Sequence, residues 1–78
     1  MSKMGKLNKD LINDLIKRRY AYRMDDGEWA WTKEAIKKFP PIIRITLSDL
    51  VWGKPCHDFM QVEMMRHGFD PDTGLELE

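Results

Sequence analysis

Four residues in the last third of the chain are of the types that carry catalysis or bind metal ions: Cys56, His57, Asp58 and His67. On a helix, the two histidines would lie about 80° and some 15 Å apart, so they cannot share one ion. Cys56 and His57 are adjacent, and adjacent helical side chains diverge, which argues against a nucleophile and base pair. No CxxC or HExxH spacing occurs. We therefore expect no catalytic residue, no metal site and no cofactor, with Cys56 a small core hydrophobe.

The size of the chain points the same way. With 78 residues, the protein has room for one domain with a small core, and a substrate cavity would hollow that core out. The five glycines are isolated, so they build no phosphate-binding loop. A single cysteine excludes an internal disulfide. We expect a protein that is not an enzyme and has no small-molecule substrate.

The charge is balanced overall but divided between the two ends. Residues 1–24 hold seven cations and two anions, whereas residues 56–78 hold one cation and six anions. One interpretation is that the two ends attract each other within one small fold. The other is that the basic end binds an anionic partner such as nucleic acid, through cations that bind phosphate and aromatic rings that stack on bases. The candidate nucleic-acid-binding residues are Lys17, Arg18, Arg19, Tyr20, Tyr22 and Arg23.

A helix-turn-helix motif is a third use of such a chain, with Gly53 in the turn. Its second helix would present Asp58, Glu63 and one cation, Arg66. That surface is a poor match for a polyanion. The first helix is therefore the better nucleic-acid candidate.

Methionines at helical spacing suggest a protein partner instead. Phe59, Val62 and Met65 form one apolar stripe of the last helix and can satisfy the core by themselves. Met60 and Met64 fall on a second stripe, so we expect both to be at least partly exposed and to bind a protein partner or a second copy. The alternative is a central helix with both stripes buried.

Apolar periodicity predicts the elements that hold these residues. A helix is expected over residues 7–24, with Leu7, Leu11 and Leu15 on one face and Asn8 as its cap. A second helix is expected over 26–39, ended by the two prolines that follow Phe39. A strand over 28–32, with alternating tryptophans, is an alternative that leaves the later part of this pattern unexplained.

The second half of the chain is expected to add two helices, over 42–52 and 56–67. Residues 42–47 are ambiguous because their β-branched density also suits a strand. Such a strand would find few partners in so short a chain, so the helix is preferred. Gly68 followed by Phe69 has the glycine and hydrophobe pattern of a Schellman helix end.

We therefore predict a mainly α, compact bundle of about four short helices, with a small α+β fold containing a strand at 42–47 as the alternative. The single domain would span 1–78, with a flexible start over 1–6 and an acidic turn and tail over 70–78. No secretory signal or apolar run of about 20 residues occurs, so no membrane and a cytoplasmic location are expected. The expected function is regulatory docking of a helical face on a protein partner, and nucleic-acid binding is the alternative.

Overall fold

The computed structural model describes residues 7–77. The start that we expected to be flexible, residues 1–6, lies outside the described residues, as does Glu78. Within residues 7–77 the fold is mainly α, with four helices and one two-stranded antiparallel sheet. In chain order the elements are α1 (Lys9–Lys17), β1 (Ala21–Arg23), β2 (Trp29–Trp31), α2 (Lys33–Lys38), α3 (Pro41–Val51) and α4 (Asp58–Arg66).

The predicted helix over 7–24 is correct at its start and wrong in its second half. Asn8 caps α1 as expected, because its side chain accepts a hydrogen bond from the Leu11 amide at 3.1 Å. The helix ends at Lys17, since Arg19 adopts a left-handed backbone with φ of 67°. The Arg19 amide donates to Ile16 and the Tyr20 amide donates to Leu15, which is the bond pattern of a Schellman motif.

The predicted helix over 26–39 is also wrong in its first half, where the chain forms a β-hairpin. Strand β1 pairs antiparallel with β2, and Tyr22 lies opposite Ala30. The turn between them closes at Gly27, whose φ of 89° suits glycine, and the Asp26 carboxylate accepts the Glu28 amide at 2.9 Å. The alternating tryptophans therefore belong to a strand.

The helical part of that segment begins only at Lys33. Thr32 caps α2 by accepting the Ala35 amide, and its hydroxyl also donates to the Arg19 carbonyl at 2.7 Å. Phe39 ends α2 in an extended conformation, as the following Pro40 predicts. One threonine side chain thus joins the start of α2 to the chain reversal after α1.

The third and fourth helices confirm the sequence predictions. Helix α3 begins at Pro41 and covers the ambiguous residues, so the alternative strand at 42–47 is wrong. The C-terminal segment does not pair with α3, because Glu76 forms its bridge with Phe69. Helix α4 ends in the predicted Schellman motif, in which Phe69 donates to the Met64 carbonyl and Gly68 donates to Met65.

The core is one cluster built from all parts of this fold. Phe69 is its largest fully buried side chain and packs edge to face on Phe39, with ring centroids 5.2 Å apart. Phe39 in turn packs edge to face on Tyr20 at 4.9 Å. The other fully or almost fully buried apolar side chains come mainly from two helices: Leu11, Ile12, Leu15, Ala21, Ala35, Ile43, Leu47, Leu50, Val51 and Met64.

Replacing the left-handed arginine tests the chain reversal. We expect Arg19→Gly to stabilise the fold by about 0.5 to 1 kcal/mol, because glycine adopts positive φ without the steric cost that arginine incurs. The measurement is urea unfolding followed by circular dichroism. Lys17→Gly is the matched control at the last residue of α1, where no positive φ favours glycine, and should destabilise by up to about 1 kcal/mol. Equal losses from both variants would contradict the left-handed backbone at position 19.

Candidate functional site

Helix α4 faces the core with the apolar stripe that its sequence pattern predicted to lie in solvent. The side chains of Met60 and Met64 are only 4% and 0% exposed, whereas Phe59, Val62 and Met65 are 72%, 57% and 59% exposed. The exposure predicted for Met60 and Met64 is therefore wrong. Their assignment as partner-binding residues depended on that exposure and is not retained.

The Schellman motif at the end of α4 explains this rotation. The hydrophobic residue after the glycine of such a motif usually packs on the residue three positions before the helix cap. Here these residues are Phe69 and Met64, both fully buried in the same cluster. Burying Phe69 therefore turns Met64, and Met60 one turn before it, inward. This rule applied to the sequence would have identified the correct stripe.

The surface left in solvent has a defined composition. We call Phe59, Val62 and Met65, flanked by the exposed Asp58 and Arg66, the outer face of α4. The three apolar residues step by three, so they cover an arc of about 120°. His57 stacks on the Phe59 ring at 5.6 Å, and this contact extends the apolar surface beyond the helix start.

Charges border the outer face of α4 on both ends. Arg66 forms an exposed ion pair with Glu63 at 3.5 Å, and Asp58 accepts a hydrogen bond from Gln61 at 3.5 Å. The helix therefore carries negative charge in its first turn and positive charge in its last turn, which is the favourable arrangement for its dipole. The apolar centre and charged rim match the general anatomy of a protein interface.

Helix α3 has a second, more divided apolar surface. Ile42, Ile45 and Trp52 are exposed on the side opposite its buried residues. A shallow groove of about 300 Å³ runs beside Ile45 and is interrupted by charge. The residues that line it are Trp31, Pro41, Arg44, Ile45, Ser48 and Asp49.

The structure divides the predicted nucleic-acid-binding residues among three elements. Lys17 ends α1, Arg19 lies at the chain reversal, and Tyr22 and Arg23 lie exposed on strand β1. The Arg23 guanidinium donates to the Gly27 carbonyl at 3.1 Å. The six residues do not share the one helix that the sequence suggested, and nucleic-acid binding through them stays a prediction.

Arg18 and Tyr20 take part in a polar network that joins the two ends of the chain. Arg18 forms ion pairs at 3.0 Å with Asp14 and with Glu76. The Tyr20 hydroxyl donates to Glu76 at 3.1 Å and accepts from Lys38 at 2.9 Å. This hydrogen bond to Tyr20 raises the pKa of the Lys38 ammonium. The basic and acidic ends therefore meet through Glu76.

The two histidines that first suggested chemistry lie at opposite ends of α4. His57 precedes this helix and His67 follows it. The Cys56 thiol donates to the His57 carbonyl at 3.5 Å and packs partly against the core. Burial raises the pKa of the Cys56 thiol, and the negative charges of Asp58 and Asp72 add to this effect. Among residues 7–77, no three histidine, cysteine or carboxylate side chains are grouped to hold a metal ion.

Two neighbouring methionines test the rotation of α4. Met64→Ala should cost about 2 to 4 kcal/mol of unfolding free energy, because it leaves a cavity in the core. Met65→Ala should change stability by less than about 0.5 kcal/mol, because that side chain lies mostly in solvent. Thermal unfolding of the two variants checks this difference. Equal losses, or a larger loss for Met65→Ala, would contradict the observed rotation.

Glu76 tests the contact between the two ends. Glu76→Gln should destabilise the fold by about 1 kcal/mol, because the charged partner of Arg18 is lost at a site that is only partly exposed. Urea unfolding at low salt and in 1 M NaCl measures the effect. High salt should reduce the difference in unfolding free energy between the variant and wild type. Glu28→Gln, an exposed carboxylate of the hairpin, is the control and should have almost no effect.

Comparison with known proteins identifies no relative from which a function could be transferred. No protein-family model matches the chain, and neither curated proteins nor solved structures give a significant match. None of the helices within residues 7–77 is both long and apolar enough to cross a membrane. The function of this chain therefore has to be inferred from the surface of its fold, and above all from the outer face of α4.

Proposed function

We propose that this chain is a small, non-enzymatic binding protein that docks the outer face of α4 on a protein partner and thereby modulates it. The observation that carries the proposal is the exposure of Phe59, Val62 and Met65 on a helix whose opposite side is fixed in the core. Exposing three large apolar side chains to water in one arc is unfavourable, and a partner that buries them would remove this cost in free energy.

The composition of this face supports a protein rather than a polyanion as partner. Phenylalanine and methionine are enriched in the centres of protein interfaces, and arginine is enriched near them. Phe59 is the natural anchor, because it is the most exposed of the three and an aromatic ring buries a large area on binding. The buried side chains of Met60 and Met64 hold helix α4 on the core, so the outer face is organised before binding and loses little entropy on docking.

Site-specific photo-crosslinking tests this function. A benzophenone amino acid replaces Val62, or the exposed Asn13 of α1 as control, in cells that naturally express the chain. We expect a protein adduct from position 62 and none of the same mass from position 13. Adducts that are identical at both positions, or none at position 62, would overturn the proposal.

A second pair of variants tests the anchor side chains. Phe59→Ser combined with Met65→Ser should abolish the adduct while the circular dichroism spectrum stays unchanged, since both side chains are mostly exposed. Ile36→Ser combined with Ile45→Ser removes exposed apolar side chains from α2 and α3 and should leave the adduct unchanged. An adduct that persists without Phe59 and Met65, or that is lost equally in both pairs, would mean that these two side chains do not anchor the partner.

A further inference from the structure

The two halves of the outer face of α4 have complementary chemistry at matching positions about its midpoint. Val62 lies at its midpoint, with Phe59 three residues before it and Met65 three residues after it. Asp58 and Arg66 lie four residues from the midpoint on either side. An acid and an aromatic ring at one end therefore correspond to a base and a thioether at the other.

We propose that this face binds a second copy of the same chain, with the two α4 helices antiparallel and related by a two-fold axis through Val62. In such a pairing each residue meets the one at the equal distance on the other side of the axis. Asp58 then faces Arg66 of the second copy, and Phe59 faces its Met65. The proposal rests on the proposed docking function and names the partner.

The charges at the two ends of the outer face favour a second copy of the chain as the partner, because each end can pair with the opposite end of the other copy. A parallel pairing in register would place Asp58 against Asp58 and Arg66 against Arg66, which is repulsive at both ends. The antiparallel pairing instead gives two ion pairs at the rim. Asp58 and Arg66 are both exposed in the isolated chain, so they reach a partner without leaving the core. Arg66 already pairs with Glu63 on its own helix at 3.5 Å, and this exposed pair can be shared with the incoming carboxylate.

The apolar contacts agree with the same geometry. A methionine sulfur near an aromatic ring is a favourable contact, and the two-fold axis creates two of them, between Phe59 and Met65. At the axis, Val62 meets its own copy with a small side chain that allows the helices to approach closely. The dipoles of antiparallel helices also run in opposite directions, which favours this orientation.

The size of the face sets the strength of the association. Helix α4 has nine residues and is therefore about 14 Å long. A standard stable interface buries about 800 Å² on each partner, which is more than one such face provides. We therefore expect a weak, concentration-dependent dimer with a dissociation constant between about 10 μM and 1 mM.

Charge reversal gives the decisive experiment. Asp58→Arg brings two guanidinium groups together across the interface, and Arg66→Asp brings two carboxylates together, so each variant alone should dimerise at least about tenfold more weakly. In an equal mixture, the Asp58→Arg chain is cationic at both positions and the Arg66→Asp chain is anionic at both. Unlike charges therefore face each other at both ends of the heterodimer, and the mixture should associate more tightly than either variant alone. Sedimentation equilibrium from about 10 μM to 1 mM measures the dissociation constants of wild type, of each variant and of their mixture.

Controls on α1 separate pairing from helix stability. Asp10→Arg and Lys17→Asp make the same charge changes in the first and last turns of α1, with the same effect on the helix dipole. Both should dimerise like wild type. The proposal is overturned if wild type stays monomeric up to 1 mM, if the single α4 variants dimerise like wild type, or if their mixture associates no more tightly than the variants alone.

A disulfide at the axis provides a test that does not depend on the charge variants folding. Val62→Cys in a Cys56→Ser background should form a disulfide-linked dimer rapidly with copper phenanthroline as oxidant, because the two Cβ atoms of position 62 meet at the axis. Asn13→Cys in the same background is the control and should cross-link slowly. Equal rates at both positions would contradict the proposed axis.

The outcomes distinguish this inference from the function on which it rests. A purified chain that remains monomeric, together with a specific adduct to a different protein at position 62, overturns the self-association and supports the docking function. An adduct with twice the mass of the chain supports both. A monomeric chain without any specific adduct at position 62 overturns both.

Discussion

The burial of Phe69 is the constraint on which the rest of this structure depends. Its ring fills the centre of a small core against Phe39, and its amide closes the Schellman motif at the end of α4. Because the motif joins Phe69 to Met64, the burial of the first requires the burial of the second. The outward orientation of Phe59, Val62 and Met65 follows, since a helix cannot bury two opposite sides on one small core.

Close packing around this centre extends to the C-terminal turn. Gly74 lies where a side chain would collide with Leu11, since an added Cβ would be 2.7 Å from that leucine. The turn holds the following segment near Phe69, and Glu76 thereby reaches Arg18 and Tyr20. The acidic end is thus positioned by packing, and its charge then stabilises the contact that packing has created.

The chain reversal after α1 is the second determinant of the fold. An arginine in the left-handed region is uncommon, and here three tertiary contacts maintain it. Thr32 bonds to the Arg19 carbonyl, the Thr32 amide donates to Tyr20, and Tyr20 packs on Phe39. The hairpin that follows uses the tryptophans as strand residues, so the segment that is most basic in the sequence is distributed over a helix end, a turn and a strand.

Local signals in the sequence determined the caps, the prolines that separate α2 from α3, the position of α3 and the Schellman end of α4. These features depend on residues within one or two turns of each other, so the sequence is sufficient to predict them. The sequence could not show that the helix from residue 7 ends at Lys17, because no glycine marks Arg19. Nor could apolar periodicity choose between the two stripes of α4, since both are equally apolar. Tertiary structure alone made the first decision, because long-range contacts hold Arg19 in its strained conformation. The second follows from the burial of Phe69, which selects the methionine stripe for the core and which the Gly68-Phe69 pattern already indicates.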